Sequence, residues 1–299
     1  MKFPYLKQAG SAVFVDRYVT KAHQLLHPWQ GDVIKGFGLI GAPLSKSSIS
    51  HSGASFAPQT IRKALSAFST YAVEEDIDLK QVVVHDLGDI ETFVTDIVAS
   101  QRRIEETMLE ILHQNPALIP ITLGGDHSVS APMIKAFAQV KGKVGVIQFD
   151  AHHDLRNLED GGPTNGTPFR SLLEAGAIQG EHLIQIGIRN FSNSKEYLHY
   201  AMENHVTVYT MKDVRERNIC SIIKEALNKL KQEVDAIYVS VDMDVLDQAY
   251  APGCPAIGPG GMDSQTLFDA VFYLGKESMV QGFDIVEIDP TIDIRDTTS

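Results

Sequence analysis

The chain of 299 residues has few cysteines and no long apolar run, and each shortage excludes a class of protein. Cys220 and Cys254 are too few for a disulfide framework and too far apart for a CxxC motif, which predicts two reduced thiols. No segment approaches the roughly 18 apolar residues of a membrane span, and Met1 to Gly10 has no apolar signal-peptide core. We therefore expect a cytoplasmic protein with no membrane partner.

The chain also has fewer basic than acidic residues. The chain has 26 Lys and Arg against 38 Asp and Glu, for a formal net charge of -12. A protein that binds nucleic acid through its phosphates needs clustered Lys and Arg, so nucleic acid is not an expected partner. Charged residues at 21% and hydrophobic residues at 43% are near the globular average, which excludes a disordered chain, a collagen-like repeat and a coiled coil.

What the sequence does contain is an alternation of strands rich in Val and Ile with stretches of helical period, the pattern of a parallel sheet covered by helices. Eight strands are predicted, at 33–41, 82–86, 117–123, 144–149, 183–188, 206–209, 236–241 and 280–286. Helices are predicted between them, at 58–68, 96–114, 128–138, 219–232 and 263–274. Because no linker rich in Ser, Gly or Pro interrupts the series, residues 1–299 are interpreted as one α/β domain.

Polar side chains collect at the ends of four predicted strands, and in a parallel sheet ligands bind outside the carboxyl ends of strands. The four groups are Asp126 and His127 after 117–123, Asp150 to Arg156 after 144–149, Asp242 and Asp244 after 236–241, and Glu287 after 280–286. This edge of the sheet is therefore the predicted functional site.

The spacing of these residues indicates a metal site. Asp150, His152 and Asp154 alternate along the chain and so point to one side of an extended segment, as do Asp242 and Asp244. Together with the imidazole of His127, these residues supply two imidazoles and four carboxylates. That is too many donors for one small ion, and it suits two divalent ions. Without cations, four carboxylates so close together would repel one another.

Ligand chemistry and charge predict which metal and which reaction. Oxygen-rich sites with imidazole and no thiolate favour manganese, while iron, cobalt, nickel and zinc stay possible by affinity. A pair of such ions bridges a water, lowers its pKa so that hydroxide forms near neutral pH, and polarises the electrophile. We therefore expect two Mn²⁺ per subunit and a hydrolytic reaction.

Some of these residues have a structural interpretation instead. A lone Asp at a strand end is usually a loop cap, and a lone His in an apolar setting is usually a core residue. Asp126 and Ser128 could cap the following helix or could support the metal ligands from behind. His153 alternates away from the ligand face, so we expect it to pack in the interior.

The motifs Gly124-Gly125-Asp126-His127, Asp150-Ala151-His152-His153-Asp154 and Ser240-Val241-Asp242-Met243-Asp244 resemble the three signatures of the ureohydrolase family. These are binuclear manganese enzymes that include arginases, agmatinases and formiminoglutamases. The resemblance runs from about Gly38 to Pro290 and implies a three-layer α/β/α fold, with a mainly parallel eight-stranded sheet, in a homo-oligomer that is a trimer or a hexamer.

The resemblance also implies roles for individual residues. One metal would be held by His127, Asp150, Asp154 and Asp242, and the other by Asp150, His152, Asp242 and Asp244, with Asp150 and Asp242 bridging. Asp154 would also orient the bridging hydroxide, which makes it a catalytic residue. Glu287 matches the carboxylate that binds the amidine or guanidine nitrogen of the substrate.

Asn165 favours one branch of the family. Arginases and agmatinases typically carry a His before a Gly in this loop as a proton shuttle, whereas this chain has Asn165-Gly166, and Asn cannot shuttle a proton at neutral pH. The segment 154–168 resembles that of formiminoglutamases, whose substrate N-formimino-L-glutamate has two carboxylates and an amidine and yields glutamate and formamide in histidine breakdown. Asn165 could bind the substrate or be a turn residue.

Two arginines are candidate partners for an anionic substrate. Arg156 lies two residues beyond Asp154, so in an extended chain its guanidinium could clamp a carboxylate near the metals, unless it is only a surface residue. Agmatine, which has no carboxylate, would meet an unhelpful positive charge there. Arg189, directly after the strand 183–188, is the second candidate, or it pairs with structural acids.

We therefore expect a dimanganese hydrolase that acts on N-formimino-L-glutamate, a small anionic amidine. Hydroxide attacks the formimino carbon, the metals and Glu287 hold the tetrahedral intermediate, and glutamate leaves after protonation by Asp154 or water. The alternatives are an agmatinase or guanidino-acid hydrolase, a noncatalytic metal-binding protein on the same fold, and a two-metal phosphoesterase. Asn165 and Arg156 disfavour the first, the complete set of ligands disfavours the second, and Glu287, which would repel phosphate, disfavours the third.

Overall fold

The computed structural model describes Leu6 and residues 16–299, and within that part of the chain it contains eleven β-strands and eight α-helices. The strands are β1 (Leu26–Pro28), β2 (Gly36–Ala42), β3 (Tyr71–Ala72), β4 (Ile77–Asp78), β5 (Val84–Asp89), β6 (Leu118–Gly124), β7 (Val144–Phe149), β8 (Leu183–Ile188), β9 (Thr207–Thr210), β10 (Ala236–Asp242) and β11 (Val280–Val286). The helices are α1 (Ala57–Ala64), α2 (Ile97–Gln114), α3 (Ser130–Lys141), α4 (Pro168–Glu174), α5 (Lys195–Glu203), α6 (Met211–Glu216), α7 (Ile219–Leu230) and α8 (Ser264–Gly275). Short 3-10 turns occupy Ala22–Leu25, Ala54–Phe56, Leu79–Gln81, His127–Val129, Gly180–His182 and Met243–Val245.

Nine of the strands form one sheet in the order β1-β5-β2-β6-β11-β10-β7-β8-β9, and every neighbouring pair is parallel. The eight predicted strands are all present. The ninth, β1, is an edge strand of three residues that pairs with β5, and it is too short to show a period in the sequence. β3 and β4 form a separate antiparallel pair.

The sheet lies between two layers of helices, which confirms the three-layer prediction. Every residue of β7 and β10 is buried, because a parallel strand in the middle of such a sheet is covered on both faces. On one face Tyr238 packs with apolar side chains of α2 and α3, such as Phe137. On the other face Ile237 and Val239 pack in a second cluster with α7 and α8.

Side-chain caps explain where several helices begin. The carboxylate of Asp96 accepts a hydrogen bond from Ala99 N at the start of α2, and that of Asp263 accepts one from Thr266 N at the start of α8. Asn218 does the same for α7, through Cys220 N. Of the helices that the periodicity did not predict, α5 has nine residues and buries one of them, Ala201.

The order of the strands decides where the functional residues meet. β6, β11, β10 and β7 are consecutive in the sheet, so the four predicted strand ends lie side by side at its carboxyl edge. Asp154 (φ 51°) and Glu287 (φ 61°) both have left-handed backbone conformations at this edge. Such strain in residues other than glycine is concentrated at functional sites.

Two expectations concern parts of the chain beyond the described residues. The absence of an export signal was inferred from Met1 to Gly10, of which Leu6 alone is described, so it stays a prediction. The single domain over 1–299 likewise stays a prediction. Among the described residues, none of the helices combines the length and the apolar character needed to cross a membrane.

Candidate metal centre and substrate pocket

The first group of candidate ligands surrounds the imidazole of His127. Its Nδ1 atom lies 3.2 Å from Asp150 Oδ2, 2.9 Å from Asp154 Oδ2 and 3.1 Å from Asp242 Oδ2. All four side chains are buried, and the donor atoms lie within 4.8 Å of one another. This is the set that the resemblance implies for one metal.

The second group consists of Asp150, His152 and Asp244. His152 Nδ1 lies 2.9 Å from Asp244 Oδ2 and 3.5 Å from Asp150 Oδ1. Asp150 is therefore shared between the two groups, as predicted for a bridging ligand. The resemblance also places Asp242 with the second metal. In the structure its carboxylate belongs to the first group of donors alone. Its contact with the second group is a hydrogen bond that it accepts from Asp244 N at 2.8 Å.

Backbone amides hold the carboxylates in these positions. His152 N donates to Asp150 Oδ1 at 2.6 Å, and Ala151 N donates to Asp244 Oδ1 at 3.1 Å. A side-chain amide adds to them, since Gln148 Nε2 donates to Asp150 Oδ2 at 2.6 Å. Gln148 was not predicted, although a polar residue two positions before Asp150 on the same face of a buried strand was a usable signal.

The protonation of the clustered groups reflects an excess of buried negative charge. Burial raises the pKa of Asp242 well above its usual range, and Asp244 and Asp150 raise it further. Burial, with repulsion from Asp150, raises the pKa of Asp154 to about 6, and the attraction of Asp244 raises the pKa of His152 to about 12. Divalent cations would compensate the same charge, so this donor set fits a two-metal site.

His127 is oriented from behind by a chain of hydrogen bonds that the sequence did not predict. Its Nε2 atom lies 3.0 Å from Ser240 Oγ, which donates to Asp284 Oδ1 at 2.7 Å. Asp284 is fully buried in β11. With Nε2 engaged in this way, Nδ1 is directed at the carboxylates, as in the outer contacts that orient metal-bound histidines. The signal for Asp284 was a single charged residue inside a predicted strand.

The paired glycines of the first motif have a steric explanation. A Cβ on Gly125 would lie 1.8 Å from Leu44 O, so only glycine allows this approach of two backbones. The carboxylate of Asp126 accepts hydrogen bonds from Ser128 N at 3.0 Å and Ser47 Oγ at 2.7 Å. Asp126 thus caps the 3-10 turn that carries His127. The helix α3 that follows begins at Ser130 with no side-chain cap, so the capping interpretation holds for the turn and is wrong for the helix.

His153 packs away from the candidate ligands, as predicted. Its Nδ1 atom lies 2.6 Å from Gln185 Oε1, and the side chain is buried.

Glu287 lies at the end of β11 with one carboxylate oxygen held and the other free. Oε1 accepts hydrogen bonds from His127 N at 2.7 Å and from Asn165 Nδ2 at 3.1 Å. Oε2 has no hydrogen-bond partner among the described residues, although the side chain is buried. Burial, with repulsion from Asp126, raises the pKa of Glu287 to about 8. A buried acceptor without a partner is a natural contact for an N–H group of a ligand.

Asn165 links Glu287 to a neighbouring loop. Besides its bond to Glu287, its Oδ1 atom accepts from Ile49 N at 3.2 Å, and its backbone N donates to Ser47 O at 3.1 Å. Both polar atoms of the side chain are therefore used within the protein. Asn165 also lines the pocket described next, and a contact between it and the substrate stays a prediction.

A cavity of about 1040 Å³ opens above the candidate ligands. Its floor includes His152, Asp154, Asp242, Asp244 and Glu287. Its walls come from the segment 154–170 and from α5. A cavity of this size with convergent polar groups suits a small polar ligand.

The two predicted arginines are placed differently. Arg156 is exposed and lines the cavity, and its side chain has no hydrogen-bond partner among the described residues. Arg189 does not line the cavity: it is buried, and its Nη1 atom donates to Gly258 O at 2.9 Å and Leu246 O at 3.3 Å. We correct the interpretation of Arg189, because its guanidinium holds the backbone of the loop after β10 instead of facing a substrate.

Comparisons with known proteins extend over almost the whole chain. The model of the Arginase family matches residues 35–299. The formimidoylglutamase of Halalkalibacterium halodurans is 68% identical over 297 residues, which cover 99% of this chain and 93% of that protein. The crystal structure of formimidoylglutamase from Bacillus subtilis superposes with a TM-score of 0.96 at 55% identity and covers 99% of this chain and 92% of that one.

A more distant solved structure includes the metal. The crystal structure of Trypanosoma cruzi formiminoglutamase with Mn²⁺ superposes with a TM-score of 0.81 at 25% identity, and the match covers 88% of this chain and 89% of that one.

Proposed function

The chain belongs to the arginase family, a family of metal-dependent hydrolases, and on that premise we propose that it hydrolyses N-formimino-L-glutamate to L-glutamate and formamide. The observation that carries the proposal is the 68% identity to a formimidoylglutamase over 99% of the chain. The exposed guanidinium of Arg156 in the cavity supports an anionic substrate.

We assign the metal ligands to the two groups at the carboxyl edge of the sheet. His127, Asp150, Asp154 and Asp242 would hold one Mn²⁺, and Asp150, His152, Asp244 and Asp242 the other. Bound there, two divalent cations would lower the pKa of water and polarise the amidine. Manganese is favoured over softer metals because the donors are carboxylates and imidazoles with no thiolate.

The protein's own groups would bind and orient the amidine. The free Oε2 of Glu287 would accept a hydrogen bond from an amidine N–H, and Asn165 would hold the other oxygen of Glu287 in place. Asn165 has no titratable proton, so proton transfer falls to another group. We assign it to Asp154, whose carboxylate would take a proton from water and return it to the departing nitrogen.

Further proposals concern the state of the enzyme in the cell. We infer a homo-oligomer, a trimer or hexamer, from the family resemblance, and no partner among nucleic acids or membranes. A cytoplasmic location is supported by the free thiols of Cys220 and Cys254.

The experiment compares substrates on enzyme purified free of metal and then loaded with Mn²⁺. We expect formamide and glutamate to be released from N-formimino-L-glutamate at least about 100-fold faster, as kcat/KM, than urea from agmatine or arginine. Faster release of urea would replace the proposal with the agmatinase alternative. Mn²⁺ binding without turnover of any of the three substrates would favour a noncatalytic metal-binding protein.

A further inference from the structure

We propose that Arg170, which the sequence did not single out, binds the side-chain carboxylate of the substrate and so sets the specificity for a dicarboxylate. The proposal rests on the proposed function. Arg170 would supply a second guanidinium, besides that of Arg156, to a substrate with two carboxylates.

The need for a second cation follows from the placement of the arginines. N-formimino-L-glutamate has a carboxylate next to the amidine nitrogen and another at the end of its side chain, and a bound carboxylate is best satisfied by a guanidinium. Arg156 can meet one of them. Arg189 is bound to the carbonyls of Gly258 and Leu246 and cannot meet the other.

Arg170 lies in α4 and lines the same cavity. Its Cζ atom lies 3.6 Å from the centroid of the Tyr200 ring, so the guanidinium stacks on the aromatic face. Its Nε atom donates to Glu174. Glu174 is the only hydrogen-bond acceptor of this side chain among the described residues, which leaves both Nη groups available.

This arrangement prepares the guanidinium to bind an anion. The stack on Tyr200 and the bond to Glu174 restrict the side chain before a ligand arrives, which reduces the entropy lost on binding. A planar guanidinium held by Nε presents its two Nη groups at the opposite edge, where each can donate to one oxygen of a carboxylate.

Hydrogen bonds fix the backbone of both arginines near the metal centre. Arg170 N donates to Asp154 O at 3.3 Å, and Arg156 N donates to Gly166 O at 3.0 Å. The segment from Asp154 to Arg170 is therefore closed on itself by hydrogen bonds. Arg156 is two residues from Asp154, whereas Arg170 stacks on Tyr200 in the α5 wall, so we assign the inner carboxylate to Arg156 and the outer one to Arg170.

The acids of the cavity make these two contacts selective. Glu196 and Glu203 also line it, so its wall does not attract anions uniformly. A dicarboxylate is held where an arginine meets each of its ends, and an amidine with one carboxylate would leave one guanidinium without a partner.

The test is Arg170→Met, which keeps an unbranched apolar stem and removes the guanidinium with its charge. On N-formimino-L-glutamate we expect KM to rise about 10- to 100-fold with kcat within about threefold of wild type. On N-formimino-L-glutamine, whose side chain ends in a neutral amide, we expect the variant and the wild type to have the same KM within about twofold. On N-formimino-4-aminobutyrate, which keeps only the outer carboxylate, KM should rise as it does on the glutamate compound.

Arg103→Met is a matched control, because Arg103 stacks on Phe93 at 3.7 Å and lies near Glu91 but does not line the cavity. It should leave KM unchanged. An unchanged KM in Arg170→Met, or an equal rise on all three substrates, would overturn the proposal. A rise on N-formimino-L-glutamine with none on N-formimino-4-aminobutyrate would overturn the assignment to the outer carboxylate.

A binding measurement separates this proposal from the proposed function. L-glutamate has both carboxylates, and its binding to the Mn²⁺-loaded protein can be followed by calorimetry without turnover. We expect its Kd to be about 10-fold or more weaker in Arg170→Met than in wild type. Equal affinities would contradict the role of Arg170 even if N-formimino-L-glutamate were not the substrate.

Discussion

The floor and the walls of the cavity are built in different ways. On the floor, each candidate ligand follows or ends a central strand and is held by backbone amides or by buried side chains, as Asp150 is by His152 N and Gln148. On the walls, Arg156 is exposed and Arg170 is held by another surface helix. The sheet therefore positions the candidate ligands, whereas the loops and surface helices position the side chains that would contact the rest of the substrate.

The largest effect is expected from a change in the floor. Asp242→Ala should lower metal content to below one ion per subunit and activity by on the order of 10³-fold or more, because Asp242 contacts His127 and Asp244. Metal content by atomic spectroscopy and the rate of formamide release provide the measurement. Asp269→Ala, in the exposed face of α8, is the control and should behave as wild type. Full activity in Asp242→Ala would mean that the floor is not a metal site.

A smaller effect should follow from loss of the support behind His127. Ser240→Ala removes the contact to Nε2 and the hydrogen bond to Asp284 Oδ1, so Mn²⁺ affinity should fall about 10- to 100-fold. The affinity can be measured by competition with a chelator. Asp284→Asn keeps an acceptor for Ser240, so we expect a milder loss. If Ser240→Ala bound metal as tightly as wild type, the orientation of His127 would depend on other contacts.

A change in the wall should affect substrate binding and spare the metal. A Cβ on Gly166 would lie 2.5 Å from Arg156 Cδ and 2.9 Å from Nε, so Gly166→Ala should displace the Arg156 side chain. We expect KM to rise about 3- to 10-fold while metal content stays at the wild-type level. Gly275→Ala is the control, since a Cβ there meets no atom within 4 Å. A loss of metal in Gly166→Ala would remove the distinction between floor and wall.

The smallest effect on catalysis is expected at Arg189. Arg189→Met should leave KM within about twofold of wild type and lower the free energy of unfolding by about 1–3 kcal/mol, because two carbonyls lose a charged donor. Chemical denaturation and steady-state kinetics measure the two quantities. A large rise in KM at unchanged stability would restore Arg189 as a substrate contact.

The sequence predicted the floor well because its pattern is local. A buried strand followed by alternating acids, as in Asp150 to Asp154, identifies both the element and the side that the ligands share. The eight main strands were found from their runs rich in Val and Ile. β1 was missed because three residues carry no period.

The walls were predicted less well because their contacts join distant parts of the chain. Arg170 in α4 and Tyr200 in α5 are brought together by the fold, and no spacing in the sequence predicts the stacking of the guanidinium on the ring. Arg189 follows a strand end, as the candidate ligands do, but its guanidinium turns to Gly258 and Leu246, which lie after β10. Position at a strand end predicts the neighbourhood of a side chain and leaves its direction open.

The position of β11 in the sheet has a consequence for the folding of the nascent chain. β11 inserts between β6 and β10, although it is made after every other strand of the sheet. Until it emerges, a nascent chain has two unpaired strand edges in the middle of its sheet, and Glu287 and Asp284 are missing. Open strand edges favour association with other chains, so a chain that lacked β11 would expose two edges to aggregation. The cavity therefore contains Glu287 only after β11 has paired with β6 on one side and β10 on the other.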